Sequence, residues 1–91
     1  MLHARVVGHA HSTVHHPSLR GVRLLLCEGL EADASGNGKF FLAADWQGAG
    51  IGSRVMVTTD GGAASREVHD DSTPLRNVIL GIIDETAEVA S

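Results

Sequence analysis

Glycines at alternate positions are the first feature of this chain that could do chemistry. Gly48, Gly50 and Gly52 lie in the segment ADWQGAGIGSRVMV, between two apolar stretches. Phosphate-binding loops place glycines before a helix N-terminus, and a P-loop adds a lysine. Here the spacing is G-x-G-x-G, a strand pattern follows, and the loop has no lysine. We therefore interpret the loop as a wide turn, or as a place where a second backbone approaches closely, and not as a nucleotide site.

The histidines are the second candidate, because imidazole is a common metal ligand. His9 and His11 fall on one face of a predicted strand, and two more histidines follow closely. No second pair at a fixed spacing and no Cys or Asp partner completes a ligand set, so we expect solvated histidines, no bound metal and no cofactor. The six histidines are His3, His9, His11, His15, His16 and His69.

Two residues could take part in catalysis, and both have simpler interpretations. Asp45 ends a predicted strand, and we expect its carboxylate to accept backbone N–H groups of the glycine loop. Cys27 ends the apolar run LLLC and is expected to be a small buried side chain. The segment from His69 to Ser72 is assigned to solvent. No enzyme signature emerges, so the sequence predicts no catalytic residue and a protein that is not an enzyme.

Length and charge limit the remaining classes. The chain has 91 residues, a mass of 9.5 kDa and a formal net charge of -4, which predicts one domain over 1–91 with a short polar tail at 85–91. The acidic balance argues against an electrostatic grip on nucleic acid. We find no secretory signal and no apolar run long enough for a membrane helix. A single cysteine is compatible with a reducing cytosol.

Short stretches with a period of two predict strands, separated by turn signals. A hairpin connection is expected at Ser35–Gly38, a bend or bulge at Gly8, and one helical turn after Gly61 and Gly62. This pattern predicts an all-β domain, a small barrel or sandwich of five strands. The expected strands cover 2–7, with a possible continuation through 9–14, and 22–27, 39–45, 54–59 and 77–84.

Five segments together carry a family resemblance over nearly the whole chain. They are ARVVG with Ser12-Thr13, PSLRGVRLLL, ADWQGAGIG continuing into VMV, GGAASR, and Pro74-Leu75 followed by VILGIID. In this order they resemble the bacterial microcompartment vertex proteins, the family of the carboxysome and ethanolamine-utilisation pentameric shell proteins. The chain departs from the family pattern in GGAASR, which has a small residue inserted before its arginine.

The resemblance implies a five-stranded barrel similar to an OB-fold, assembled as a cyclic homopentamer. Such a pentamer would fill the five-fold corners of a cytoplasmic microcompartment shell that is otherwise tiled by hexameric shell proteins. The glycine loop would then pack near the pentamer axis or between subunits. The residues expected at a subunit interface or pore loop are Asp45, Gly48, Ala49, Gly50, Gly52 and Arg66.

Two other functions were weighed against the shell protein. OB-folds commonly bind single-stranded nucleic acid, but such proteins need a basic groove and aromatic side chains for stacking. This chain has seven Lys and Arg against eleven Asp and Glu, and three aromatic residues. A small metal-binding module built on the histidines is the other alternative. We expect neither nucleic acid nor a membrane among the partners.

Overall fold

Five strands close into a barrel in the computed structural model, which describes residues 1–10, 17–70 and 75–83. The order around the barrel is β1-β2-β3-β5-β4; β3 and β5 are parallel and the other neighbours are antiparallel. This confirms the predicted all-β fold and the OB-like barrel. The elements are β1 (Leu2–Ala10), a 3₁₀ turn (Pro17–Leu19), β2 (Leu24–Leu30), β3 (Gly36–Ala44), β4 (Arg54–Thr58), α1 (Gly61–Val68) and β5 (Val78–Ile83).

Strand β1 bends where the sequence predicted it. Val6 pairs with Cys27 and Gly8 pairs with Leu26, so Val7 is an extra residue in the ladder. A bulge of this kind increases the local twist and helps a sheet to close. The strand continues to Ala10, and the suggested continuation toward Val14 lies outside the described residues.

The predicted hairpin connection at Ser35–Gly38 is wrong. The turn lies at 31–35, where the N–H of Glu31 donates to the carbonyl of Ser35 at 2.8 Å, and β3 already begins at Gly36. Asp33 fixes this turn, since its Oδ1 accepts from the backbone N and the Oγ of Ser35 at 3.0 and 2.6 Å. The hydrogen bonds of the Asp33 carboxylate therefore place the turn before Gly36, although the Gly-Asn-Gly sequence favours a turn at 36–38.

The apolar residues form two layers. One fills the barrel and includes Leu25, Ile79, Cys27, three alanines and three valines. The other lies beneath α1, where Ala64 is fully buried. Helix α1 has eight residues, longer than the single turn predicted. Asp60 caps its start by accepting from the N–H of Gly62 at 2.9 Å, and His69 ends it with φ of 56°. No helix in the described residues is long and apolar enough to cross a membrane.

Cys27 lies inside the barrel with no exposed surface. Burial, and to a smaller extent the negative charge of Asp45, raises the pKa of the Cys27 thiol to about 11. The expectation of a small buried side chain is confirmed, and the group is kept as a neutral thiol.

We predict that Cys27 resists thiol reagents in the folded protein at pH 8. The thiolate is the reactive form, and raising the pKa from 9.0 to about 11 lowers its fraction by roughly a hundredfold. Labelling with a chromogenic disulfide reagent should be at least that much slower in native protein than in denaturant. Complete labelling of native protein at the denatured rate would contradict the buried position.

Candidate functional site: the glycine loop

Asp45 anchors the first half of the glycine loop, which runs over residues 46–53. Its Oδ1 accepts from the N–H of Gln47 at 2.8 Å, and its Oδ2 accepts from the N–H of Ala49 at 2.9 Å. The side chain has no exposed surface. A buried carboxylate is costly unless its oxygens are paired, and here the loop backbone supplies those donors. The expected contact between Asp45 and the glycine loop is confirmed.

Arg23 completes this arrangement and was not predicted. Its Nη1 donates to Oδ2 of Asp45 and also to the carbonyl of Ala49, the latter at 2.6 Å. The side chain is 41% exposed, so its charge is only partly removed from water. The N–H of Asp45 in turn donates to the carbonyl of Arg23 at 2.9 Å. The signal in the sequence was one charged residue next to the apolar run LLLC, and its exact partner could not be read from that.

The second half of the loop is fixed to β1. The N–H of Gly52 donates to the carbonyl of Val6 at 2.8 Å, and the N–H of Val6 donates to the carbonyl of Ser53 at 2.9 Å. Ser53 also holds Gly50 from both sides, since its Oγ accepts from the N–H of Gly50 at 3.2 Å and its N–H donates to the carbonyl of Gly50 at 3.0 Å. Both ends of the loop are therefore attached to the barrel.

The three glycines of the loop differ in backbone conformation. Gly48 and Gly52 have φ of 84° and 93°, in the left-handed region that a side chain disfavours. Gly50 is not in that region, and a Cβ built on it meets no described atom within 4 Å. Nothing in the described part of the subunit requires a glycine at position 50.

The loop presents one side to the core and another to solvent. Ala49 has no exposed surface and belongs to the cluster that fills the barrel. Trp46 and Ile51, by contrast, are 42% and 62% exposed. The solvent-facing side of the loop therefore carries two large apolar side chains.

Of the six predicted site residues, four lie in this loop, Asp45 directly precedes it, and Arg66 lies elsewhere. Arg66 is exposed on α1, and its guanidinium lies beside Gly62 of the same helix.

Three of the six histidines, at 11, 15 and 16, lie outside the described residues. Within 1–10, 17–70 and 75–83, no three His, Cys, Asp or Glu side chains are grouped as metal ligands would be.

Replacing Asp45 by Ala is expected to destabilise the subunit by about 3 kcal/mol, because it leaves the Ala49 N–H and part of the Arg23 charge without an acceptor. Chemical unfolding at a fixed protein concentration measures the loss. Asp33→Ala is the matched control: hydrogen bonds from Ser35 lower the pKa of that exposed carboxyl, and its removal should cost much less. Equal losses in the two variants would contradict the anchoring role of Asp45.

A family model described as ethanolamine utilisation protein EutN/carboxysome matches residues 1–84. The carboxysome shell vertex protein CcmL of Synechocystis sp. is 39% identical over 88 residues, covering 97% of this chain and 86% of that protein. The microcompartment shell vertex protein EutN of Salmonella typhimurium is 32% identical over 83 residues, covering 90% and 82%.

Solved structures agree with the sequence matches. CcmL of Gloeobacter violaceus superimposes with a TM-score of 0.81 at 32% identity, covering 92% of this chain and 86% of that one. The GrpN pentameric microcompartment shell protein of Rhodospirillum rubrum gives a TM-score of 0.76 at 30% identity, covering 92% and 94%. The chain therefore belongs to the EutN/CcmL family.

Proposed function

We propose that this chain forms a cyclic homopentamer that closes the five-fold vertices of a bacterial microcompartment shell. The observation that carries the proposal is the match to a pentameric shell protein over 94% of that protein's chain. The shared part is nearly the entire barrel, so this chain supplies the same folded unit. Relatives named as shell vertex proteins support the same function.

The glycine loop is proposed to be part of the contact between subunits or of the lining of the five-fold axis. Gly50 supports this, because the space beside it is open within the subunit and a neighbouring backbone can occupy it. The exposed Ile51 adds apolar surface next to that space. Arg66 is proposed as a further contact residue, since α1 presents it to solvent.

The proposed pentamer would sit among hexameric shell proteins in the cytoplasm, with a structural role, no catalytic residue and no cofactor. The chemistry of Cys27 supports this role, because its thiol is buried and its raised pKa keeps it from acting as a nucleophile. No membrane partner is proposed.

Binding of single-stranded nucleic acid is the less favoured function. Phe40 and Trp46 are exposed, at 58% and 42%, as stacking side chains would be. The net charge of -4 opposes it, since affinity for a phosphate backbone comes mainly from basic side chains. We propose that the chain has no nucleic-acid partner.

The proposal is tested by the mass of the protein in solution. Size-exclusion chromatography with light scattering at micromolar concentration should give five times the 9.5 kDa mass of the chain. A monomer or a dimer under these conditions would contradict the vertex function.

A size series at Gly50 tests the loop. Gly50→Ala should be tolerated, whereas Gly50→Leu should weaken the pentamer and leave the far-UV circular dichroism of the subunit unchanged. Gly52→Ala is the contrasting variant: at φ of 93° it should destabilise the subunit by about 1–2 kcal/mol. A Gly50→Leu protein that stays fully pentameric and still closes shells would refute the contact at this loop.

A further inference from the structure

Between β3 and β5, the described strands close the barrel at one point. Among the described residues these strands share a single pair, Ala44 with Val78, whereas β1 and β2 share six. The pair joins the last residue of β3 to the first residue of β5. Because the two strands are parallel, the rest of β3 lies on one side of this pair and the rest of β5 lies on the other side. Each strand therefore has a stretch of free edge, and the two stretches lie on opposite sides of the closure.

Over residues 36–43, no described strand pairs with the side of β3 that faces away from β2, although the N–H of Gly38 in this stretch donates to Oε2 of Glu28 at 3.0 Å. The N–H of Ala44 donates to the carbonyl of Asn77 at 3.0 Å, and Nδ2 of Asn77 donates to the carbonyl of Leu42 at 2.9 Å, so these backbone groups point away from β2. By the two-residue period of a strand, the backbone groups of Phe40 point the same way. No strand in the described part of the chain pairs with them.

The free edge of β5 covers residues 79–83. Strand β4 pairs with one side of β5 along this stretch, and no described strand pairs with the other side. Exposed backbone donors and acceptors of this kind are templates for pairing with another strand.

Large apolar side chains accompany both edges. Phe40 and Leu42 on β3 are 58% and 44% exposed, and Leu80 and Ile82 on β5 are 45% and 43% exposed. Phe40 lies four residues before the closure and Ile82 lies four residues after it. At about 3.3 Å per residue, Phe40 and Ile82 are roughly 26 Å apart along the strands and Leu42 and Leu80 are roughly 13 Å apart, so the two pairs lie on opposite sides of the closure.

Nine large apolar side chains are exposed in the described residues, and four of them lie on these two edges. A second chain that pairs with an open edge also removes such side chains from water, which adds to the stability of the contact.

A closed ring of identical subunits needs two different surfaces on each subunit, because every contact is head-to-tail. We infer that the β3 edge with Phe40 and Leu42 on one subunit docks against the β5 edge with Leu80 and Ile82 on the next copy. This inference rests on the proposed pentamer and names the surfaces that build it. The pairing covers both free edges and both apolar pairs at once.

Cross-linking tests which surfaces meet. The double variant Phe40→Cys with Leu80→Cys is treated with a short bismaleimide. This reagent should not reach the native Cys27, because that thiol is buried. A head-to-tail contact joins each subunit to the next, so denaturing electrophoresis should display a ladder of covalent species up to five chains. Wild type and both single variants should remain single chains. The matched control pairs Leu80→Cys with Val7→Cys, an exposed apolar position on the bulge of β1, and should give no ladder.

The outcomes separate this inference from the proposed function. If wild type is not a pentamer by light scattering, the vertex function fails. If the double variant is pentameric before treatment and yields no ladder, the vertex function stands and the assignment of the two edges is wrong. Cross-linked dimers from either single variant would reveal a surface that pairs with itself, which also overturns the head-to-tail assignment.

Discussion

The buried carboxylate of Asp45 is the interaction on which the rest of this structure depends. It follows Ala44, through which β3 pairs with β5 in the described residues, and it accepts two backbone N–H groups of the loop that comes next. Arg23 brings the start of β2 to the same carboxylate. One side chain thus joins the closure of the barrel, the entry to β2 and the first half of the glycine loop. The loop can then hold Ala49 in the core because its backbone donors are already satisfied.

The barrel buries small apolar side chains and leaves several of its larger ones exposed. Among the described residues, the fully buried positions include Ala4, Ala43 and Ala49, whereas Phe40 and Ile51 are mostly in water. A subunit of this size has a modest core in any case, and burying its larger side chains outside the barrel would add stability that the core alone does not supply. The same physical feature that weakens an isolated subunit favours assembly.

The sequence predicted what depends on periodicity and missed what depends on specific partners. The five strands, the bulge at Gly8 and the acceptor role of Asp45 follow from alternation and from the place of a carboxylate beside a loop. Arg23 could not be assigned, because a charged residue next to an apolar run looks the same whether it faces solvent or a buried carboxylate. The turn near Asp33 was misplaced for a related reason: a side chain that bonds its own backbone outweighed the glycine pattern.

The alternating glycines of the loop are alike in the sequence and differ in the structure. Gly48 and Gly52 adopt positive φ, which a side chain disfavours, so the backbone conformation of the subunit itself accounts for glycine at both positions. Gly50 does not adopt that conformation, and the described residues leave open space where its side chain would stand. The alternation that first looked like a phosphate loop is therefore two conformational glycines on either side of a third that the described part of the subunit does not require.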